Sequence, residues 1–378
     1  MLSDWMTSSE ALAVLGTQPQ TLYANVSRGR IRSKKDPADS RRSLYSGEDV
    51  RRLAGRGTGR RKAETVASEA IRWGDPILPS AISTVADGRL YYRGRDVAQL
   101  AGRATLEDVA ALLWQGRAVK LANGEPGSGE PLEAAFVLLA GRAAHDMPSL
   151  GRSTVVLKRE AESVLGTLVG AITGGRTGAI HERAATAWGR PEAADAIRKA
   201  LVLLADHELN ASAFAARVTA STGAALSAAA LSGLCTLTGP LHGGAAAGVS
   251  ALVGAVERDG AERAVRDWLA QARPLPTFGH RLYPQGDIRA QVLLEASPVP
   301  PAFSALSAVA ERVVGERPNV DFALAAMTAA YGLPGDAPLQ LFAMARCVGW
   351  LAHALEQVEG GELIRPRAHY VGEAMEQR

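Results

Sequence analysis

Apolar residues recur at helical spacing along most of the chain beyond Trp73. The clearest windows, in which Ala and Leu lie three and four positions apart, are 105–115, 131–144, 191–204 and 300–315. The segment 80–92 differs, because polar and apolar residues alternate around Asp87-Gly88, a pair typical of two-residue hairpin turns. The pattern predicts a mainly α-helical body that carries one small β-hairpin.

A long uncharged stretch lies in the middle of this body. From Val218 to Val256 the chain contains 39 residues without Asp, Glu, Lys or Arg, enough to consider a membrane span. A break at 239–244 divides the stretch, and Ser, Thr and Gly occur in both halves. Two buried helices are therefore favoured over a membrane span, and no membrane partner is expected.

The first 54 residues have a different pattern of short helices and basic segments. Thr7-Ser-Ser-Glu10 is a capping-box sequence that predicts a helix start, and a second helix is predicted to begin between Thr17 and Pro19. Basic segments at 28–35 and 39–45 follow and predict a β-hairpin, or wing. Two short helices followed by a wing are typical of a helix-turn-helix domain.

Charge separates this module from the rest of the chain. Residues 1–62 contain 13 Lys and Arg against 6 Asp and Glu, a net charge of +7, whereas the remaining 316 residues have a net charge of −4. Segment 55–66 begins with the Gly- and Arg-rich string "GRGTGRRK" and is predicted to be a linker. The charge indicates a polyanion-facing module joined to a body with another task.

The basic module resembles the winged helix-turn-helix of the MerR and excisionase type. The strings "TLYANVSRGRI" and "DSRRSLYSGEDV" carry the likeness. The resemblance implies contact with DNA, and the candidate residues are Thr21, Tyr23, Arg28, Arg30, Arg41 and Arg42. A docking module that never touches DNA is the alternative, because a basic patch by itself shows only affinity for polyanions.

Cysteine and histidine usage excludes several classes of protein. Two cysteines, Cys235 and Cys347, are too few for a disulfide framework and indicate a reducing compartment. The start of the chain lacks the features of a signal peptide, so a cytoplasmic location is expected. Seven histidines include no HExxH pair, and their spacing predicts no metal site.

The residues that could carry chemistry lie at breaks between helices. His242 occupies the Gly-rich break, and His280 lies in a loop rich in Pro and Gly. Asp321 precedes a helical run, where an ionised carboxylate could cap the helix or act as a general base. Arg346 lies on an otherwise apolar helix face and requires an internal carboxylate or an anionic ligand. Each residue has a purely structural alternative.

Together these segments resemble the citrate synthase family over about 300 residues. The matching strings follow the family's order: "YYRGRDVAQLA" at 91–101, "DHELNASAFAARVTAST" at 206–222, "GPLHGGA" at 239–245, "FGHRLYPQGDIRA" at 278–290, "NVDF" at 319–322, "ARCVGWLAHALEQ" at 345–357 and "LIRPRAHYVG" at 363–372. Several specific motifs in one order are stronger support than any single motif.

The resemblance implies a role for each candidate. Asp321 matches the base that removes a proton from the acetyl group, His242 the donor to the thioester carbonyl, and His280 the group that polarises oxaloacetate. Residues that match ligands of the dicarboxylate and of citrate are His207, Arg289, Arg346 and Arg365. In the family the residue corresponding to Arg365 reaches the neighbouring subunit's site, which implies a homodimer. The CoA thioester is a substrate, and no cofactor is implied.

The family also implies an architecture, with a large helical domain at 67–245 and 341–378 and a small one at 246–340. The chain departs from the usual pattern at Ile288, where Pro is common, and at Thr277, where Gly is common. These departures affect acyl-chain selectivity and CoA affinity more than reaction class. Three functions stay open: condensation with acetyl-CoA, 2-methylcitrate synthesis with propionyl-CoA, and a DNA-binding regulator whose body senses CoA or a dicarboxylate.

Overall fold

A computed structural model describes residues 5–15, 17–27, 30–37, 39, 42–50, 78–121, 124, 126–244, 246–368 and 370–373. The chain divides into two compact units, residues 1–79 with 367–378, and residues 80–366. The predicted linker at 55–66 and the start of the predicted large domain at 67–77 lie outside the described residues.

The first unit contains short helices and a small sheet. Its elements are β1 (Trp5–Met6), α1 (Ser8–Leu15), α2 (Pro19–Ser27), β2 (Ser33–Lys35) and β3 (Ser43–Ser46). The predicted capping box is confirmed, because Thr7 N–H donates to Glu10 Oε2 at 2.8 Å and Glu10 N–H donates to Thr7 Oγ1 at 3.4 Å. Strand β3 pairs antiparallel with both β1 and β2, so the basic segments do form a hairpin. Assignment of this unit as a winged helix-turn-helix domain stays a hypothesis.

The second unit opens with the predicted hairpin. Strands β4 (Ser83–Ala86), β5 (Arg89–Tyr92) and β6 (Arg95–Asp96) pair antiparallel in that order. Asp87 and Gly88 have φ values of 50° and 71°, as the two-residue turn requires. The hairpin prediction is confirmed, and β6 adds a third strand that the alternation did not predict.

Helices make up most of the remaining second unit. They are α3 (Val97–Ala101), α4 (Leu106–Leu113), α5 (Pro131–His145), α6 (Thr154–Thr173), α7 (Ile180–Ala187), α8 (Ala194–Leu204), α9 (Ala211–Ser221), α10 (Leu226–Leu237), α11 (Ala246–Asp259), α12 (Ala261–Leu269), α13 (Ile288–Ala296), α14 (Pro301–Val314), α15 (Val320–Tyr331) and α16 (Ala337–Gly360). The four windows predicted to be helical correspond to α4, α5, α8 and α14.

Helix α16 forms the centre of the main hydrophobic core. It packs against α4, α6, α8, α9, α10 and α15. Most of its residues are buried, including the polar side chains of Arg346 and His353. The helix therefore carries charged and polar groups into the interior, where each needs a specific partner.

A second core cluster lies apart from the first. It is built from α11, α12, α14, α15 and the loop before His280, with Phe322 packed edge-on against Phe278 and Phe303. All its buried members fall between 249 and 326, within the segment predicted as the small domain. The exact division of the second unit into a large and a small domain stays a prediction.

The long uncharged stretch contains α10 and α11, separated by the predicted break at 239–244. Helix α10 contributes buried apolar residues to the main core cluster, and α11 contributes them to the second cluster. In the part of the chain that the structure describes, no helix has the length and apolar character needed to cross a bilayer.

Candidate active site

A tight turn after α10 presents His242. His242 N–H donates to Gly239 O, and Gly243 N–H donates to Leu237 O, both at 2.9 Å. A Cβ atom at Gly243 would lie 2.6 Å from Leu237 O, so the turn closes this tightly only with glycine. His242 is half-buried, and its Nε2 lies 2.9 Å from Ser212 Oγ on α9. The break that was visible in the sequence therefore aims an imidazole at the interior.

The loop that carries His280 is tied to the segment leading into α15. Gly279 N–H donates to Arg317 O, and Asn319 N–H donates to Thr277 O, both at 2.9 Å. Leu282 N–H donates to His280 Nδ1 at 3.2 Å, so the proton of the neutral ring is on Nε2. His280 Nε2 is therefore a hydrogen-bond donor, and it is the ring nitrogen that can contact a ligand.

Thr277, in the same loop, has a strained backbone. Its φ of 65° lies in the left-handed region, which a β-branched residue rarely adopts. Such strain costs about 1 to 3 kcal/mol and persists only where the surroundings impose it. The position where the family commonly has Gly is therefore one where Gly would relieve strain.

Asp321 is the second residue of α15, and it is not the cap of that helix. Asn319 is the cap, since its Oδ1 accepts from Asp321 N–H at 3.1 Å and from Phe322 N–H at 3.4 Å. The Oδ1 atom of Asp321 is buried and has no hydrogen-bond partner among the described residues. Burial raises the pKa of Asp321 to about 6, against the opposing charges of Arg289 and Arg346. The capping alternative is wrong, and the carboxylate is available to act as a base near neutral pH.

Two buried arginines lie near this carboxylate in different states of pairing. Arg289 forms a two-point pair with Asp287 through Nε at 2.9 Å and Nη2 at 2.8 Å. Asp287 Oδ2 also accepts from Val320 N–H at 3.0 Å, which ties the pair to α15. Arg346 donates from Nε to Leu204 O at 2.8 Å and forms no ion pair within the described ranges. Arg346 is 3% exposed, and a buried charge requires a partner. An anionic ligand would supply one.

Three aromatic side chains form a cluster beside the arginines. The ring centroids of His207 and His280 are 5.3 Å apart, and those of His280 and Tyr283 are 5.0 Å apart. Tyr283 Oη lies 2.9 Å from His207 Nε2, and Arg289 stacks on the Tyr283 ring at 5.1 Å. The structure therefore brings His207 and His280 together, with Tyr283 and Arg289 beside them.

The three candidate histidines, His207, His242 and His280, are neutral at physiological pH. Burial lowers the pKa of His242 to about 4, and the charge of Arg346 adds to the effect. Burial and the charge of Arg289 lower the pKa of His280 to about 4 as well. The pKa of His207 is held well below its ordinary value by burial and by both arginines. Neutral imidazoles can donate hydrogen bonds without competing for the proton that a base must accept.

The comparison with known protein families decides the assignment. The family model described as "Citrate synthase, C-terminal domain" matches residues 72–126 and 169–367, which is more than half of the chain. The chain belongs to the citrate synthase family. The resemblance found in the sequence motifs is confirmed at the level of the family.

Named relatives of this citrate synthase family member cover different parts of it. "Citrate synthase 2" of Bacillus subtilis (strain 168) is 39% identical over 193 residues, 48% of this chain and 52% of that protein, so the chain spans about half of its length. "Putative citrate synthase 2" of Mycobacterium bovis is 35% identical over 325 residues, 75% of this chain and 87% of that protein. "2-Methylcitrate synthase 1" of Corynebacterium glutamicum is 35% identical over 196 residues, 47% of this chain and 51% of that protein.

The fold agrees with a solved structure of the family. The crystal structure of citrate synthase from Thermotoga maritima superposes with a TM-score of 0.64 and 28% sequence identity, covering 81% of this chain and 96% of that one. The mainly helical citrate synthase fold predicted from the motifs is therefore confirmed.

One residue that was predicted to bind the substrate makes no contact with the cluster. Arg365 lies exposed on the extended segment that follows α16, where Ile364 N–H donates to Ser221 Oγ at 3.2 Å. No contact between described residues joins Arg365 to His242, His280 or Asp321. This placement agrees with the expectation that Arg365 serves a neighbouring subunit, which stays a prediction.

The candidate DNA-binding residues lie in the first unit. Thr21 and Tyr23 on α2 are exposed, as are Arg30 and Arg42. Arg28 and Arg41 lie outside the described residues. No group of three or more His, Cys, Asp or Glu side chains is placed to hold a metal ion in the described part of the chain.

Sequence reasoning missed Tyr283 and Ser212 as members of the site. Both lie inside motif strings that were used, Tyr283 three residues after His280 and Ser212 five residues after His207. Their spacing from a candidate histidine was a usable signal. Their contacts were not predictable, because they join residues that lie 76 and 30 positions apart in the chain.

Replacing Tyr283 by Phe should weaken binding of oxaloacetate, the ligand that the family resemblance implies, by about three- to tenfold. The reason is that His207 loses its Nε2 partner while the ring packing stays. The change in kcat should be smaller than the change in affinity. Titration calorimetry with oxaloacetate and steady-state rates of the same samples measure both quantities. Unchanged affinity would show that the hydroxyl does not set the position of His207.

The pH profile of the condensation that the family resemblance implies should follow Asp321. Since the base must be ionised and its pKa is about 6, kcat/KM should rise with pH and level off above that value. His242 and His280 titrate near 4 and add no step above pH 5. Rates measured between pH 4.5 and 9 test this expectation. A profile without an inflection near 6 would contradict it.

Proposed function

We propose that this citrate synthase family member condenses acetyl-CoA with oxaloacetate and hydrolyses the resulting citryl-CoA to citrate and CoA. The observation that carries the proposal is the Asp321 carboxylate, which has a buried oxygen and a raised pKa and lies within electrostatic reach of buried Arg289 and Arg346. Burial and the charges of these arginines keep His207, His242 and His280 neutral. This set supplies a base, two hydrogen-bond donors and two cations for a dicarboxylate, which are the groups that the reaction needs.

In the first step Asp321 removes a proton from the methyl group next to the thioester. The carboxylate becomes a carboxylic acid, and the electron pair of the C–H bond forms an enolate. In the tautomer that carries its proton on Nδ1, His242 donates a hydrogen bond to the thioester oxygen, where the negative charge develops. A neutral donor of this kind stabilises the enolate most strongly when water is excluded.

In the second step the enolate carbon attacks the ketone carbon of oxaloacetate. The Nε2–H of His280 polarises the ketone oxygen and protonates it as the carbon–carbon bond forms. Arg289, Arg346 and His207 hold the two carboxylates, so the unpaired charge of buried Arg346 finds its partner. Water then attacks the thioester, which releases citrate and the thiol of CoA and makes the condensation irreversible.

A cavity beside His280 offers space for the thioester. It measures about 730 Å³ and is lined by the loop from Phe278 to Asp287 and by the segment from Glu311 to Arg317. Arg281 and Arg317 contribute guanidinium groups to this lining. The cavity is large enough for part of a CoA chain. Its lining also carries Asp287, Glu311 and Glu316, and Arg317 pairs with Glu311 at 2.9 Å.

Free-thiol release tests the function. Purified protein is incubated with acetyl-CoA and oxaloacetate together, with each alone, and with propionyl-CoA in place of acetyl-CoA. Thiol release that requires oxaloacetate supports the synthase. Absence of release with both acyl groups, from folded protein that still binds oxaloacetate, would favour the regulator that senses a ligand without turnover.

The alternative substrate is propionyl-CoA, which would make the protein a 2-methylcitrate synthase. The relative from Corynebacterium glutamicum carries that name, and the departures from the family pattern at Thr277 and Ile288 lie in or beside the His280 loop. The ratio of kcat/KM for the two acyl groups in the same assay decides between them.

We infer that the active protein is a homodimer in which Arg365 completes the neighbouring site. Leu241, next to His242, is fully exposed. Three apolar side chains are more than 60% exposed, those of Met147 and Leu150 between α5 and α6 and that of Val155 at the start of α6. Arg365→Ala and Asp321→Asn should each be nearly inactive alone, whereas mixed dimers should regain activity. Sedimentation as a monomer with full activity would contradict the dimer.

A second candidate function for the first unit is DNA binding. Lys34 and Lys35 are exposed on β2, near exposed Arg42 at the start of β3, and Tyr23 on α2 is 55% exposed. Titration of the full-length protein with duplex DNA at two salt concentrations should show binding that weakens at higher salt. Lys34→Glu with Lys35→Glu should weaken it further. Absence of binding at low salt would leave the unit as a docking element.

A further inference from the structure

Trp350 is fully buried on α16, and its indole nitrogen points towards the candidate site. Its Nε1–H donates to Ser212 Oγ at 3.0 Å, and the same oxygen lies 2.9 Å from His242 Nε2. No step of the proposed reaction uses Trp350 directly. The residue is nevertheless one hydrogen bond removed from the imidazole that faces the thioester.

The hydroxyl group of Ser212 has three hydrogen-bond partners in the structure. Asn210 Oδ1 accepts from Ala213 N–H at 3.1 Å, so this atom is the oxygen, and Ser212 donates its single proton to it at 2.8 Å. An indole N–H can only donate. The two remaining lone pairs of Ser212 Oγ are therefore taken by Trp350 and by a proton on His242 Nε2.

The direction in which Ser212 donates its proton determines the tautomer of His242. With Ser212 donating to Asn210, the neutral ring carries its proton on Nε2 and presents Nδ1 as an acceptor. If Ser212 turns its proton to His242 Nε2, the ring proton belongs on Nδ1, which can then donate to a thioester oxygen. Trp350 can keep its hydrogen bond to Ser212 Oγ in both cases, because the oxygen retains a lone pair for it.

The indole ring also fixes the helix that ends at the His242 turn. Gly233 on α10 packs directly on it, and a Cβ atom there would lie 2.5 Å from ring atom Cδ2. Helix α10 ends at Leu237, five residues before His242. Trp350 therefore contacts two elements that position His242. It donates to Ser212 on α9, and its ring packs against α10.

We propose that Trp350 is a positioning residue for His242, which acts through Ser212 and through α10. The kinetic part of this inference rests on the proposed condensation, whereas the placement of the His242 ring does not. Trp350 holds Ser212 Oγ at the distance that lets it accept from or donate to the imidazole. A displacement of this oxygen would misalign the donor that stabilises the enolate.

Trp350→Phe is the first test, since it keeps a ring and removes the N–H donor. We expect kcat to fall about ten- to a hundredfold, with KM for oxaloacetate within about twofold. Nitrogen NMR of labelled protein should show shifted His242 ring resonances, because the Ser212 oxygen that contacts Nε2 is displaced. This measurement works on protein without substrate, so it separates failure of this inference from failure of the proposed function.

Trp114→Phe is the matched control. Trp114 is also buried, and its Nε1–H donates to a backbone oxygen of α16, Val348 O, at 3.0 Å. It should lose comparable stability and leave kcat and the His242 resonances unchanged. Equal effects of the two variants on kcat, or wild-type His242 resonances in Trp350→Phe, would overturn the proposal.

A second pair of variants tests the packing without touching a polar atom. Gly233→Ala should displace the indole ring and reproduce the fall in kcat, whereas Gly141→Ala adds its methyl group to open space on α5 and should have wild-type kinetics. Wild-type kcat in folded Gly233→Ala would show that α10 does not transmit the position of Trp350.

Discussion

Asp321→Asn is expected to lower kcat for condensation by about 10²- to 10⁴-fold, the usual contribution of a general base. The amide has the shape of the carboxyl group but cannot accept the methyl proton. Oxaloacetate binding should stay within about twofold, because its carboxylates are assigned to Arg289, Arg346 and His207. Thiol release and calorimetric titration with oxaloacetate measure the two quantities. An unchanged rate would remove Asp321 from the role of base.

The same substitution should stabilise the fold at alkaline pH. Since the pKa of Asp321 is raised by burial, the native state binds the proton more tightly than the unfolded chain does. Wild-type stability therefore decreases as the pH rises from about 4 through 6, and Asp321→Asn avoids this loss. At pH 8 the variant should have a free energy of unfolding higher by on the order of 2 kcal/mol. Denaturant titrations at pH 5 and 8 test the difference.

Arg346→Met should weaken oxaloacetate binding by about two orders of magnitude or more, because the ligand loses a buried cation in its site. Its side chain donates to Leu204 O and lies over the Phe342 ring. Buried Asp206 acts on its charge electrostatically, but no carboxylate among the described residues lies within ion-pair distance of it, and an anionic ligand would supply a direct partner. Oxaloacetate should raise the melting temperature of the wild-type protein and should fail to do so in this variant.

Arg183→Met is the control for that experiment. Arg183 is equally buried and also donates to backbone oxygens, those of Gly178 and Leu121, but it lies on α7 and not in the site cluster. Its loss should lower stability and leave oxaloacetate affinity unchanged. Similar losses of affinity in both variants would indicate a general effect of removing a buried arginine and would contradict the assignment of Arg346.

Some predictions from the sequence succeeded because the features that they concern are local in the chain. The Thr7–Glu10 capping box and the Asp87-Gly88 turn are local, since the groups that define them lie within three or four residues of one another. The helical windows follow from the periodicity of apolar residues, which records the face that each helix buries. Such features do not depend on the rest of the fold.

Other predictions needed more than local pattern. At Asp321 the sequence allowed either a helix cap or a base, and the structure gives the cap to Asn319 and leaves the carboxylate with a buried oxygen. At Arg346 it left open an internal carboxylate or a ligand. The structure places buried Asp206 within electrostatic reach of Arg346, but the described residues supply no carboxylate at ion-pair distance. The choice depended on which distant groups fold against each residue.

By itself the sequence determined the family and the mainly helical body with its hairpin, and it named the candidate residues, because motif order and apolar periodicity are properties of the chain. Tertiary structure alone decided the surroundings that adjust those residues. Burial that raises the pKa of Asp321, the Tyr283 contact with His207 and the bonds that Ser212 makes to Trp350 and His242 join segments far apart in the chain. Burial and hydrogen-bond distance exist only once those segments pack, so no local pattern could encode them.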